Sequence, residues 1–419
     1  MVWDEIEAET LFLRFEGLRR PVRLEGASKI LPMVSAVMTY WPHTVSTKTD
    51  GGSAFITIRP QREKKWEVVG EDSNKKTKVW DDVNAVCDLV SEMAWERLRS
   101  EDDLLCMHAA AVNFEGRLVL FPNARRAGKS TLAIALARLG LQLFTDDFLP
   151  VRLEKTKGEC VGLANGILPR LRLPVPQEFS TEFQVWADQN SGPANPQYKY
   201  IADVPIAAWG QELPLGAIIV LDRKKEATHP RLNAIAQEDA LESLVTQNFA
   251  RTHHAASLLE TLSALSKILP TYTLSYYCAE AAAKFLQTAP ELVNLPQTSL
   301  TKLRQDDRQA DFERIRQPTS VFNPEQSYCQ APNVTETVAG NDCFLADSAG
   351  VGIVRLNPTS AAIWKLLKEP IEATEVVELI AEAFPEVGSN QIREDYNNLM
   401  RDLLEAHLIV PLHSSAVEP

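Results

Sequence analysis

The stretch Arg117-Leu-Val-Leu-Phe-Pro-Asn-Ala-Arg-Arg-Ala-Gly-Lys-Ser-Thr-Leu-Ala-Ile-Ala-Leu-Ala-Arg138 decides how this chain folds. Residues 118–121 are apolar without alternation, the pattern of a strand covered on both faces of a sheet. Residues 122–128 interrupt it, and residues 129–139 are rich in Ala and Leu, which predicts a helix stopped by Gly140. Strand, loop and helix in this order bring backbone N–H groups, the Lys129 ammonium and the Ser130 hydroxyl to one point. That set of donors suits a phosphate and its Mg²⁺ ion.

Working outward, His108-Ala-Ala-Ala-Val-Asn-Phe114 reads as a strand joined to the first by a tight Glu115-Gly116 turn. Leu141-Gln-Leu-Phe-Thr145 is the strand after the helix, and Asp146-Asp147 stands at its carboxyl end. Ligands of open α/β sheets gather at that edge, so the two acids are expected near Lys129. One of the pair can accept a proton from an attacking hydroxyl while the other, with Ser130, holds the metal. His108 is either a core histidine or one that faces the phosphates. Arg170 and Arg172 alternate with apolar residues and are either solvated charges or an anion clamp. The loop begins with Asn123 where a phosphate loop has glycine, and carries Arg125 and Arg126 at its apex. Asn tolerates left-handed backbone, whereas Arg126 would be strained there. Two readings stay open: the arginines add positive charge for a nucleotide, or the loop is degenerate. The nucleotide contacts expected are Asn123, Ala127, Gly128, Lys129, Ser130 and Thr131.

The rest of the chain reads as separate modules. Residues 1–80 hold short β-rich runs broken by turns and form an accessory region of small antiparallel strands. Residues 81–99 have helical spacing, residues 215–221 form another buried strand, and helices are expected over 239–269 and 279–286. Residues 174–196, rich in proline, are a lid or an insertion. The α/β part spans residues 81–298, and a charged helix and linker spans 299–324. The last module, 325–412, has a hairpin at 342–356, an Asn357-Pro358 helix start and three helices, which make it winged-helix-like.

Of the 419 residues, 43 are Lys or Arg and 56 are Asp or Glu, giving a net charge of −13. Residues 322–419 alone hold 15 acidic and 5 basic residues, which argues against nucleic acid as partner of the last module. No charged and apolar leader and no membrane-length apolar run is found, so a cytoplasmic protein without membrane contact is expected. The 6 cysteines form no C-x-x-C pair and suit reduced thiols.

Met107-His-Ala-Ala-Ala-Val112, Ala127-Gly-Lys-Ser-Thr131 and Gly140-Leu-Gln-Leu-Phe-Thr-Asp-Asp-Phe-Leu-Pro-Val151 resemble the HPr kinase/phosphorylase group, specifically the shorter HPr-kinase-related proteins. The resemblance matches Lys129, Ser130, Asp146, Asp147 and His108 to that family's nucleotide loop, acidic pair and preceding histidine. It implies a phosphoenolpyruvate-carboxykinase-like P-loop domain and ATP-dependent phosphorylation of a serine-type hydroxyl, with an aspartate of the pair as base. Phe344-Leu-Ala-Asp, Val354-Arg-Leu-Asn-Pro-Thr-Ser-Ala-Ala-Ile-Trp364 and Leu403-Leu-Glu-Ala-His-Leu-Ile-Val410 resemble the PqqD family of peptide chaperones. That implies capture of the leader of a ribosomally made precursor peptide, added as a strand to the hairpin. Two function classes follow: a kinase for a peptide or small protein, and a non-catalytic ATP-binding adaptor. A homo-oligomer is compatible with either.

Overall fold

A computed structural model of the protein describes residues 9–48, 51–62, 65–70, 77–101, 103–124, 126–154, 158–249, 253–297, 310–315, 321–369 and 371–412. The chain divides into two compact units that do not follow chain order. The first holds Met1–Ile235, Thr246–Ala250 and Ile268–Thr301; the second holds Ala236–Val245, Arg251–Lys267 and Lys302–Pro419. Each has the mixed α/β character expected.

The first unit starts with β1 (Thr10–Phe15), β2 (Val22–Glu25), α1 (Leu31–Val37), β3 (His43–Ser46), β4 (Ile56–Gln61), β5 (Lys65–Gly70) and β6 (Lys78–Trp80). The strands form one sheet in the order β3-β1-β2-β4-β5-β6. It is not wholly antiparallel as expected, because β2 and β4 run parallel with Val22 opposite Ile56. The intervening α1 and β3 return the chain to the end from which β2 started, and a parallel pair needs such a crossover. Next comes α2 (Asp82–Ser100), whose first turn is capped by the Asp81 carboxylate accepting from Asn84 N at 2.9 Å.

A nine-stranded sheet follows. Its first part comprises β7 (Leu104–Met107), β8 (Ala109–Phe114), β9 (Arg117–Pro122), α3 (Lys129–Arg138), β10 (Leu143–Thr145), β11 (Leu149–Glu154) and β12 (Glu159–Leu163). An excursion of β13 (Arg170–Arg172), α4 (Thr181–Gln189), β14 (Ser191–Ala194) and β15 (Tyr198–Ile201) makes a separate three-stranded sheet. The chain returns through β16 (Glu212–Arg223), β17 (Arg231–Ala234), α5 (Gln237–Gln247), α6 (Ala255–Ile268), β18 (Thr271–Tyr276) and α7 (Ala279–Gln287). The strand order is β10-β8-β9-β16-β12-β11-β7, with β18 also on β16 and β17 on β18. The twelve residues of β16 make this branching feasible: its first part pairs with β12, its remainder with β9 and β18.

One core joins Leu132, Ala133 and Leu136 of α3 to Ala282, Ala283 and Leu286 of α7 and to Phe183 of α4. The proline-rich segment is therefore a packed insertion. Ser180 caps α4 by accepting from Phe183 N, and its own N–H and hydroxyl donate to Glu280, which pairs with Arg138. The helix expected over 239–269 is broken into α5 and α6. Between them Phe249 N donates to Cys106 O and Asn248 bridges to Met107, bonds to the end of β7 that a continuous helix would forbid.

In the second unit lie α5 up to Val245 and α6 up to Lys267, with α8 (Phe312–Ile315), β19 (Tyr328–Gln330), β20 (Thr335–Ala339), β21 (Asp342–Ala346), β22 (Ile353–Leu356), α9 (Pro358–Leu366), α10 (Ala373–Ala383), α11 (Ser389–Glu405) and β23 (Ile409–Pro411). Arg355 on β22 pairs with Asp342, Asp239 and Glu242, a direct reason for α5 to group with these elements. Asn357 caps α9 through Ser360 N, with Pro358 in the first turn, as expected. Trp364, Leu345, Ile392, Tyr396, Met400 and Leu403 share one buried core. The last helix, expected over 391–408 from an apolar stripe running from Ile392 to Leu404, ends at Glu405, and Ile409 to Pro411 pair with β19. Most of the charged segment 299–316 lies outside the described residues.

Candidate active site

The register of the nine-stranded sheet delivers the site residues to one edge. Strands β9, β16 and β18 are parallel, so their carboxyl ends share that edge. β8 runs antiparallel to β9 with Ala109 opposite Pro122, which sets His108 beside the loop after β9. β10 runs antiparallel to β8 and so ends at the same edge with Asp146 and Asp147. This is the edge at which α/β proteins collect ligands, with the amino terminus of α3 pointing at it.

Within the loop, positive φ falls on Arg126 (71°) and Gly128 (102°). Gly128 is needed twice over, because a Cβ there would also stand 2.7 Å from the Tyr276 hydroxyl. The left-handed residue is therefore Arg126, not Asn123. The Asn123 side chain is committed elsewhere: its Oδ1 accepts from Leu221 N at 2.8 Å and its Nδ2 donates to Leu221 O at 3.1 Å, locking the loop start to β16. An arginine in this conformation costs about 1–3 kcal/mol. Arg126→Gly is accordingly expected to raise the thermal unfolding midpoint, with a gain of about 1 kcal/mol; an unchanged or lower midpoint would remove the strain argument.

Lys129 is buried, and its ammonium donates to Asn123 O and Ala124 O. Ser130 Oγ donates to Asp146 O at 3.4 Å, so the first turn of α3 and the acidic pair are in contact. Thr131 follows, half-buried, on the same turn, and Ala127 lines a cleft beside the loop. No side chain caps α3, which leaves its first N–H groups directed at the site.

The two acids have different surroundings. Asp146 is buried, and burial and the Asp147 charge push its carboxyl up to about 6 against the opposing pull of Arg170. Asp147 is part-exposed, and what burial it has would by itself raise its carboxyl. The hydrogen bond from His108 and the charges of Arg170, His108 and Lys129 outweigh this and hold it below the ordinary value. His108 Nε2 lies 3.3 Å from Asp147 Oδ1, and Arg170 lies 3.8 Å from Oδ2. Of the two readings of His108, the site-facing one describes its position; of the two arginines, Arg170 meets the acids while Arg172 is exposed. Pairs whose surroundings drive their ionisation apart are how one site holds an acid and a base.

Three contributors went unassigned in the sequence. Gln247 fixes the imidazole, with Oε1 3.1 Å from His108 Nδ1 and its carbonyl accepting from His108 N at 2.7 Å. At 139 positions away, it gives no sequence signal. Tyr276 is buried, has no hydrogen-bond partner for its hydroxyl among the described residues, and has its pKa pushed up to about 12 by burial. Tyr200 shares a 3.3 Å contact with Cys87 beside Arg170.

Residues 342–409 match the family model for Coenzyme PQQ synthesis protein D (PqqD). The C-terminal module is a PqqD-like domain. In it, β20 and β22 each pair with β21 alone among the described strands, so the three-stranded sheet has two outer edges. The chain is also similar to the structure of the Hpr(Ser) kinase/phosphatase from Coxiella burnetii, at 14% identity over 44% of this chain and 91% of that chain, with a TM-score of 0.22. No curated protein matches the chain. Among the described residues, no helix is long and apolar enough to cross a membrane.

Proposed function

We propose that the protein is an ATP-dependent kinase that phosphorylates a serine-type hydroxyl on a peptide or small protein recruited by its PqqD-like domain. The observation that carries this reading is the contact of the α3 amino terminus, through Ser130, with Asp146, whose buried carboxyl is raised to about 6, while the Lys129 charge acts on the adjoining Asp147. In this scheme Asp146 takes the proton from the acceptor hydroxyl as the γ-phosphoryl group is transferred. Lys129 leaves the loop carbonyls for the phosphates, and the free N–H groups of α3 hold the transferring oxygens. His108 and Arg170 orient Asp147, and Gln247 orients His108.

Mg²⁺ would be held by Ser130 and Asp147, where it would screen phosphate charge. No group of three or more His, Cys, Asp or Glu side chains is placed to hold a metal among the described residues. One hydroxyl and one carboxylate suit Mg²⁺, which keeps waters and phosphate oxygens as its other ligands. The acceptor peptide would add to an outer edge of the β20-β21-β22 sheet, with backbone hydrogen bonds providing affinity. A peptide made in a ribosomal modification pathway fits this role, and the acidity of the domain favours a basic or mixed-charge leader.

Lys129→Ala is expected to lower transfer by about 10²- to 10³-fold while leaving peptide binding unchanged. Mass spectrometry of the peptide after incubation with Mg-ATP measures the first, and fluorescence anisotropy the second. Full transfer by the variant would end this assignment. The alternative, a non-catalytic ATP-responsive adaptor, is favoured by one observation: Lys129 is already satisfied by Asn123 O and Ala124 O. Calorimetric titration with Mg-ATP separates them, since a lack of heat at millimolar nucleotide would exclude the kinase.

A further inference from the structure

Beside the phosphate loop lies a cleft of about 500 Å³ lined by Arg126, Ala127, Glu178, Leu221, Arg223, Lys225 and Tyr277. Its charges are unequally matched. Arg223 is fixed, pairing with Glu178 and donating through Nε to the Tyr277 carbonyl at 3.2 Å, with its guanidinium 5.9 Å from the Tyr277 ring centre. Arg126 and Lys225 have no ion-pair partner among the described residues, so the cleft presents uncompensated positive charge beside an aromatic ring and an aliphatic side chain.

The sheet order adds a direction. The loop follows β9. Asp146 and Asp147 follow β10, two strands away on one side, whereas Leu221 and Arg223 belong to β16, the next strand on the other. In phosphoryl transfer the attacking and leaving oxygens lie in line on opposite sides of phosphorus. An acceptor hydroxyl drawn to Asp146 therefore leaves the β16 side for the departing group.

We propose that this cleft is the nucleoside subsite. The base of the donor nucleotide lies against Tyr277, and Arg126 and Lys225 meet the phosphates nearest the ribose. This inference rests on the kinase reading and names Tyr277 as the residue of that site that selects a nucleotide over a bare polyphosphate. Base stacking on an aromatic ring is sequence-tolerant and supplies affinity without hydrogen-bond readout, so the subsite is expected to accept ADP and GDP alike.

The test compares Mg-ADP with magnesium tripolyphosphate by calorimetry on the full-length chain and its variants. Tyr277→Ala is expected to weaken ADP by about 5- to 100-fold. Lys225→Ala is expected to weaken it by a smaller factor, and Tyr277→Phe to keep it. Tripolyphosphate affinity should be unchanged in both Tyr277 variants, which also shows that they are folded, and should fall together with that of ADP in Lys225→Ala. Unchanged ADP affinity in Tyr277→Ala, or equal loss of ADP and tripolyphosphate in that variant, would overturn the subsite while leaving the kinase reading standing. If the unaltered protein binds neither compound, the kinase reading fails and the subsite with it.

Discussion

Asp146→Asn is expected to lower phosphoryl transfer by about 10²- to 10⁴-fold and, at neutral pH, to make the protein more stable. Both effects come from the same buried carboxyl. Its ionisation is shifted from 3.8 up to about 6 in the folded protein. The folded state therefore binds more protons than the unfolded chain between those values, and stability falls as pH rises through that window. Above about 6 the penalty is complete, of order 3 kcal/mol. Asparagine cannot ionise and keeps an oxygen for Arg170 N, so the penalty disappears. Thermal unfolding should show the variant more stable than the parent at pH 7.5 and nearly equal at pH 4. Transfer by the parent should rise with pH through about 6, because only the ionised carboxylate accepts the proton. A variant that keeps full activity would remove Asp146 from the chemistry, and one that loses stability at pH 7.5 would contradict its buried charge.

Trp364→Ala should have the largest effect on the second unit. The side chain is 1% exposed and its Nε1 donates to Glu336 Oε2 at 3.1 Å, so truncation leaves a large cavity and removes that hydrogen bond. Losses of about 3–5 kcal/mol accompany such changes. Calorimetric unfolding is expected to show a lowered transition for the PqqD-like domain, with loss of peptide binding, while Mg-ATP binding persists. Simultaneous loss of nucleotide binding would mean that the two functions do not belong to separate units. Trp364→Phe, which keeps most of the volume, should restore peptide binding.

The central strand, the loop after it and the helix were legible because local patterns specify them: an unbroken apolar run, a Gly-Lys-Ser triplet and an Ala/Leu helix. The same holds for Asn357-Pro358 and the stripe from Ile392 to Leu404. Features made by distant partners were not legible. Nothing near Asn123 announces that its amide will bind Leu221, and the proline content of 174–196 hid the buried pair Phe183 and Ala187. The split between α5 and α6 was invisible for the same reason, since apolar periodicity continues through residues that instead bond to β7. Arg126 was the useful exception: the strain expected of it if φ were positive is present at 71°.

The placement of β16 in the sheet also bears on the order in which the molecule is made. β9 carries the loop, but its parallel neighbour arrives late: Asn123 and the Leu221 to which it is bolted are 98 residues apart. At about 5–20 residues per second, a ribosome needs about 5–20 s to supply that neighbour. During this interval one side of β9 has no strand to pair with, and its Leu-Val-Leu-Phe run is a sticky edge in a growing chain. The loop after β9 is thus among the first parts of the candidate site to be synthesised and among the last to be completed.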